Sequence, residues 1–149
     1  MPYNELIQLY FERSNALQNY WTLYVVIVGG LLAFSSMRRV PAAVTTLIVS
    51  VLFAVFAYEN VDAIATVSVQ RHATLALIKQ ADAATPGIAP MRQLLEPTLT
   101  PASESSSRRT HLIGDVLTLL AIWAMEFNRR RRRAARLPID PARPVPGDV

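Results

Sequence analysis

An all-α integral membrane protein with three transmembrane helices is the fold class this sequence predicts, the first two spans extending outward as an antiparallel helical hairpin. Three observations predict it. Hydrophobic residues make up 52% of the 149 and charged residues only 17%, against about 25% charged in an ordinary soluble domain. The apolar residues gather in three stretches, 20–36, 41–58 and 111–127, the first two without any charge. The basic residues gather beside those stretches: 9 of the 15 are Arg38, Arg39 and the arginines between positions 129 and 143.

The first element begins outside the membrane, at 1–19, and runs into the span 20–36. Leu6, Tyr10, Leu17, Tyr20 and Tyr24 recur at spacings of three, four or seven, a helical stripe. Neither Pro nor Gly interrupts the chain from Asn4 to Val28, and Asn4 is the expected N-cap. One helix of about 33 residues, roughly 50 Å long, follows from these features. The 19 residues ahead of the apolar run are long and carry Glu5 and Glu12, unlike the short basic start of a signal peptide, so the span is expected to be a retained anchor.

A connection at 37–40 carries Arg38 and Arg39 and leads to the second span, 41–58. No helix breaker follows before Thr85-Pro86-Gly87. Val61, Ile64, Ala65, Ser68, His72, Leu75 and Lys79 form a strip on the outer extension 59–84, so a helix over about 42–83 is expected. The β-branched run at 65–69 leaves a strand as the alternative. Paired with the first helix, this extension would stand roughly 25 Å above the membrane surface.

The segment 85–110 returns to the membrane. Prolines at 86, 90, 97 and 101 forbid one continuous helix; a short helix at 90–96 and a mobile linker at 101–107 are expected. The third span, 111–127, ends in the arginine run. The tail 128–149 becomes proline-rich beyond Arg136, without apolar periodicity, and is expected to be disordered.

Arginine placement orients the spans. With three crossings, Arg38 and Arg39 lie on the same side as Arg129, Arg130, Arg131, Arg132, Arg133 and Arg136, and an excess of arginine marks the cytoplasmic side. The expected setting is the plasma (inner) membrane, with the N-terminus outside and the C-terminus in the cytoplasm. Tyr20, Trp21 and Tyr24 would mark the outer interface, Trp123 and Phe127 the inner one. A basic run abutting an apolar span is explained by topology and by contact with anionic headgroups. Nucleic acid is therefore not the expected partner, although the net charge is +4.

Four groups of residues are candidates for a role. His111, Asp115, Thr118 and Glu126 share one face of the third span, and acidic residues within a span are costly enough to mark function. Asp115, near the outer end, has Arg108, His111 or another subunit as candidate partners; Glu126, at the inner end, has Arg129 and Arg130 at i+3 and i+4. Glu59 and Asp62, with Asn60 between them, leave the outer leaflet where Arg108 and Arg109 enter it, an outer charge cluster that would tie the second span to the third. Gly29, Gly30 and Ala33, with Thr46, Ser50, Ala54 and Ala57, form small-residue faces suited to close helix packing. Arg38, Arg39 and the five tail arginines set topology and meet lipid.

The chain has no cysteine and only two histidines, His72 and His111. It has no His-x-x-x-His, no phosphate-binding glycine loop and no G-x-S-x-G. No catalytic, metal or cofactor site is expected. The expected function is a non-enzymatic accessory or assembly subunit whose outer hairpin binds another membrane or extracytoplasmic protein, or a second copy of itself. The alternative is a self-assembling pore- or lesion-forming protein of holin-like topology.

Overall fold

The computed structural model describes residues 2–81, 88–100 and 103–135, and every regular element among them is helical. Four α-helices follow in order: α1 (Tyr3–Met37), α2 (Ala43–Gln80), α3 (Ile88–Leu95) and α4 (Glu104–Ala134), with a 3₁₀ turn at Glu96–Thr98 after α3. The segment 65–69 lies inside α2. Helical pairing satisfies the backbone of this β-branched stretch without a neighbouring strand. Helices α1, α2 and α4 are each long and apolar enough to cross a membrane.

The boundaries follow from local chemistry. Asn4 is not the cap of α1: Pro2 is, in extended conformation and without a side-chain hydrogen bond. The carbonyl of Pro2 accepts from the N–H of Glu5 and Leu6. Proline fits there because its fixed φ suits a helix entry. At the other end Arg38 turns extended, and Pro41 bars continuation. Of the expected linker at 101–107, residues 104–107 are the first turn of α4, and 101 and 102 lie outside the described residues. Ser103 caps α4, its Oγ accepting from the N–H of Ser106 at 3.3 Å, so a serine-rich stretch that reads as flexible supplies a helix start. Helix α3 begins two residues before the expected 90–96 helix and ends at Leu95, where the 3₁₀ turn takes over. The expectation of a disordered tail beyond Arg136 and the last residues of the expected second helix, 82 and 83, lie outside the described residues.

Two apolar clusters hold the long helices together. Tyr3, Leu6 and Tyr10 of α1 pack with Leu75 and Ile78 of α2 and with Leu99 beyond the 3₁₀ turn. Tyr24 of α1 packs with Phe53 and Ala57 of α2, flanked by Leu119 of α4. The start of α1 thus meets the end of α2, and the two run in opposite directions; Arg71 Nη2 donates to Tyr10 Oη at 3.1 Å along the same seam. The buried strip on the far half of α2 is Asn60, Ile64, Val67, Ser68, Thr74, Leu75 and Ile78. It is displaced from the expected strip, so His72 and Lys79 are exposed and Ile78 is not. A 3.6-residue helix drifts relative to any fixed spacing, and over six turns the contact line moves around the axis.

Large apolar side chains exposed on the surface have a definite distribution. All but Phe11, Val69, Leu77 and Leu94 lie between 23 and 58 or between 112 and 127. An exposed apolar belt that wide suits contact with hydrocarbon.

Tyr3 offers a pH test of the cluster at the start of α1. Burial, and then the nearby charge of Glu96, raise its phenol above the ordinary value of 10.0. A pKa higher in the folded than in the unfolded state stabilises below the unfolded value and loses that contribution as pH rises through the folded one. Protection of the amides at residues 3–10, taken against the intrinsic exchange rate at each pH, should therefore fall above about pH 10, and Tyr3→Phe should remove that fall. An unchanged alkaline profile in Tyr3→Phe would assign the effect to another group.

Candidate functional site

The inward face of α4 carries polar residues that meet α1 and α2 at two levels. At the level nearer the start of α4, His111 is 1% exposed. Its Nδ1 lies 3.0 Å from Asp115 Oδ2 and its Nε2 lies 2.9 Å from Asn60 Nδ2 of α2. An ionised carboxylate only accepts, so Nδ1 carries the proton. With the amide of Asn60 donating, Nε2 accepts and the ring is neutral. Turning that amide over would present its oxygen and suit a doubly protonated ring. Aromatic residues of α1 close the site: Tyr24 lies 4.0 Å and Trp21 5.6 Å from the imidazole, centroid to centroid.

Gly114 lets Tyr24 in. A Cβ at this position would stand 2.5 Å from the tyrosine hydroxyl. Tyr24 Oη and Asp115 Oδ1 are both buried without a hydrogen-bond partner among the described residues, and they are complementary as donor and acceptor. Thr118, buried one turn further on, satisfies its hydroxyl on the carbonyl of Gly114 at 2.7 Å.

At the other level Glu126 is fully buried. Its Oε2 lies 3.3 Å from Thr46 Oγ1 of α2 and accepts from Arg129 Nη2 at 3.2 Å; its Oε1 accepts from Arg130 Nε at 3.2 Å. Arg129 also donates through Nη1 to the carbonyl of Ser35 at 2.6 Å. That carbonyl is one of the last four of α1, which have no partner within their own helix. Arg38, the C-cap of α1, donates to Thr46 Oγ1 and to the carbonyl of Ala42, both at 3.1 Å. One carboxylate, two arginines beside it and a threonine thus join the ends of all three long helices.

The structure therefore places His111, Asp115, Thr118 and Glu126 on the inward face of α4, bonded within one chain. The outer charge cluster is arranged differently from the expected tie. Glu59 and Arg109 are exposed. Asp62 and Arg108 line a groove between α2 and α4 that also reaches Asp115. No ion pair joins Glu59 or Asp62 to Arg108 or Arg109 among the described residues. Asn60 makes the link from α2 to α4 instead. It lies on the same stripe as Ser50, Phe53, Ala57 and Ile64, and that spacing is the signal that picks it out.

The small-residue faces divide. Thr46, Ser50 and Ala57 of α2 are buried, whereas Ala54 is exposed. Gly29 and Gly30 border open space: a methyl group added at either would meet nothing within 4 Å. Ala33 is exposed as well. The α1–α2 contact is filled by Tyr24, with Val28 and Leu31 against it, so α1 packs through its large residues. Among the described residues no three His, Asp or Glu side chains converge as metal ligands do.

No family model matches this sequence, and neither a curated protein nor a solved structure matches it.

Proposed function

We propose that this chain is a small, non-enzymatic, multi-pass protein of the plasma (inner) membrane, with its N-terminus outside and its C-terminus in the cytoplasm, acting as an accessory or assembly subunit. In this reading α1, α2 and α4 cross the bilayer, and the first part of α1 with the second part of α2 forms a helical hairpin outside it. The hairpin is the surface offered to a partner. The observation that carries the reading is the separate apolar cluster of Tyr3, Leu6, Tyr10, Leu75, Ile78 and Leu99, which gives the part beyond the apolar belt a core of its own. A protruding element with its own core, and no reactive constellation among the described residues, suits recognition better than chemistry.

The polar residues of α4 argue in the same direction. A pore lining needs polar groups facing a lumen, whereas His111, Thr118 and Glu126 are buried against α1 and α2 of the same chain. Purification in mild detergent, followed by native mass measurement, tests the proposal. The expected species is a complex with a second membrane or extracytoplasmic protein, lost when the outward residues Phe11 and Leu77 are both changed to Asp. A monomer with no partner, under conditions that preserve its fold, sinks it. A ring of this chain alone, together with membrane depolarisation on expression, selects the pore-forming alternative.

A further inference from the structure

A groove of about 830 Å³ opens where the α1–α2 connection meets the last turns of α4, and five arginines line it: Arg38, Arg39, Arg129, Arg132 and Arg133. Among the described residues no acidic side chain lines it. Glu126 lies nearby, but its two oxygens are already taken by Arg129, Arg130 and Thr46. Among the described residues Arg38 is bonded only to a hydroxyl and a carbonyl, both neutral. Arg39, Arg132 and Arg133 have no hydrogen bond or ion pair among the described residues. Four guanidinium charges thus converge from two separate parts of the chain, with no acidic partner among the described residues. Guanidinium groups are suited by geometry to bind phosphate oxygens in pairs.

The surroundings choose among phosphate-bearing ligands. At the same end of the molecule, Met37 is 80% exposed and Val40 63%, and the apolar belt begins directly beside the groove. A ligand seated there presents phosphate to the arginines and hydrocarbon to the belt. Basic pockets between membrane helices on the cytoplasmic side bind headgroups of this kind. We propose that the groove is a stoichiometric binding site for one anionic phospholipid, favouring a headgroup with two or more negative charges over a single phosphodiester. The proposal rests on the membrane insertion proposed above, and not on the identity or existence of a protein partner.

The charge itself distinguishes a built site from a diffuse basic tail. Arg131 and Arg132 are adjacent, yet Arg132 lines the groove and Arg131 does not. The purified full-length protein is placed in phosphatidylcholine nanodiscs doped with diphosphatidylglycerol, and retained lipid is counted by native mass spectrometry after release. One retained two-phosphate lipid per chain is expected. Arg39→Gln and Arg132→Gln should each weaken retention about fivefold, and the pair about thirtyfold, while Arg131→Gln leaves it unchanged. Both side chains in the test pair are exposed and unbonded among the described residues, so thermal unfolding should not move.

Equal losses in Arg131→Gln and Arg132→Gln would overturn the site in favour of a diffuse field. Displacement of the lipid by inorganic phosphate, or by a single-stranded oligonucleotide, would overturn the lipid as its occupant. Absence of any retained lipid would also overturn it. The nanodisc exposes both faces, so the result does not depend on which face is cytoplasmic. Orientation is read separately: the sole thiol of a Val145→Cys variant should react with an impermeant reagent only after cells are opened.

Discussion

Replacing Glu126 with alanine lowers the unfolding free energy in detergent micelles by about 3–5 kcal/mol, the largest loss expected of any single substitution in this chain. The size follows from what is left behind. Arg129 is only 11% exposed and would lose the carboxylate that balances its charge. Thr46 Oγ1 would lose one of its neighbours, and Arg130 would be released. Removing one partner of a buried pair costs far more than the pair contributes, because the remaining charge stays buried and unmatched. Glu126→Gln keeps the shape and one acceptor oxygen, so its loss should be smaller. Reversible unfolding followed by the fluorescence of Trp123, one turn before Glu126, measures both. A loss below about 0.5 kcal/mol for the alanine variant would mean that water reaches Arg129 and that the cluster is not closed.

The same cluster explains why helix ends are harder to foresee than helix bodies. The long runs 3–37 and 43–80 can be read because a helix needs only the absence of breakers and a suitable apolar content, and both are local. Arg129 shows the limit. Its proximity to Glu126 follows from i+3 spacing on one helix, but its bond to the carbonyl of Ser35, 94 positions away, depends on where two helix ends meet. Thr46 has the appearance of a small packing residue, and its burial agrees with that. Its place between Arg38 and Glu126 is set by the third helix, of which its own neighbours in sequence carry no trace.

The aromatic residues of α1 teach the same lesson with the opposite sign. Tyr20, Trp21 and Tyr24 have the composition of an interfacial belt, and composition does not say which way a ring faces. Trp21 and Tyr24 turn toward His111, because the buried imidazole and Gly114 leave space there. Gly29 and Gly30, which suggest close approach, face open space instead. Glycine permits contact, but a larger side chain one turn away can hold the partner helix off. Glu59 and Asp62 stand out by charge, yet the contact falls to uncharged Asn60 between them. A buried amide can donate to a ring nitrogen without the desolvation that a buried carboxylate suffers.

A His111→Leu variant should lose about 2–4 kcal/mol of stability, from the two polar partners it strands. Asn60 Nδ2 and Asp115 Oδ2 each lose their bond, and Tyr24 loses the ring it packs on. The combined variant Asn60→Leu/His111→Leu/Asp115→Leu removes all three hydrogen-bonded members of the network and should return to within about 1 kcal/mol of the parent, since it strands no polar group beyond Tyr24 Oη, which has no partner among the described residues in the parent either. Unfolding in micelles gives both numbers. The comparison then separates architecture from function. If the triple variant is stable and still retains the partner protein in mild detergent, the cluster serves only to set the register of three helices. If it is stable and the partner is lost, the histidine site, and not only the cluster around Tyr3, Leu6 and Tyr10, takes part in recognition. A triple variant as unstable as His111→Leu alone would show that packing against Trp21 and Tyr24, rather than hydrogen bonding, is what holds α4 in place.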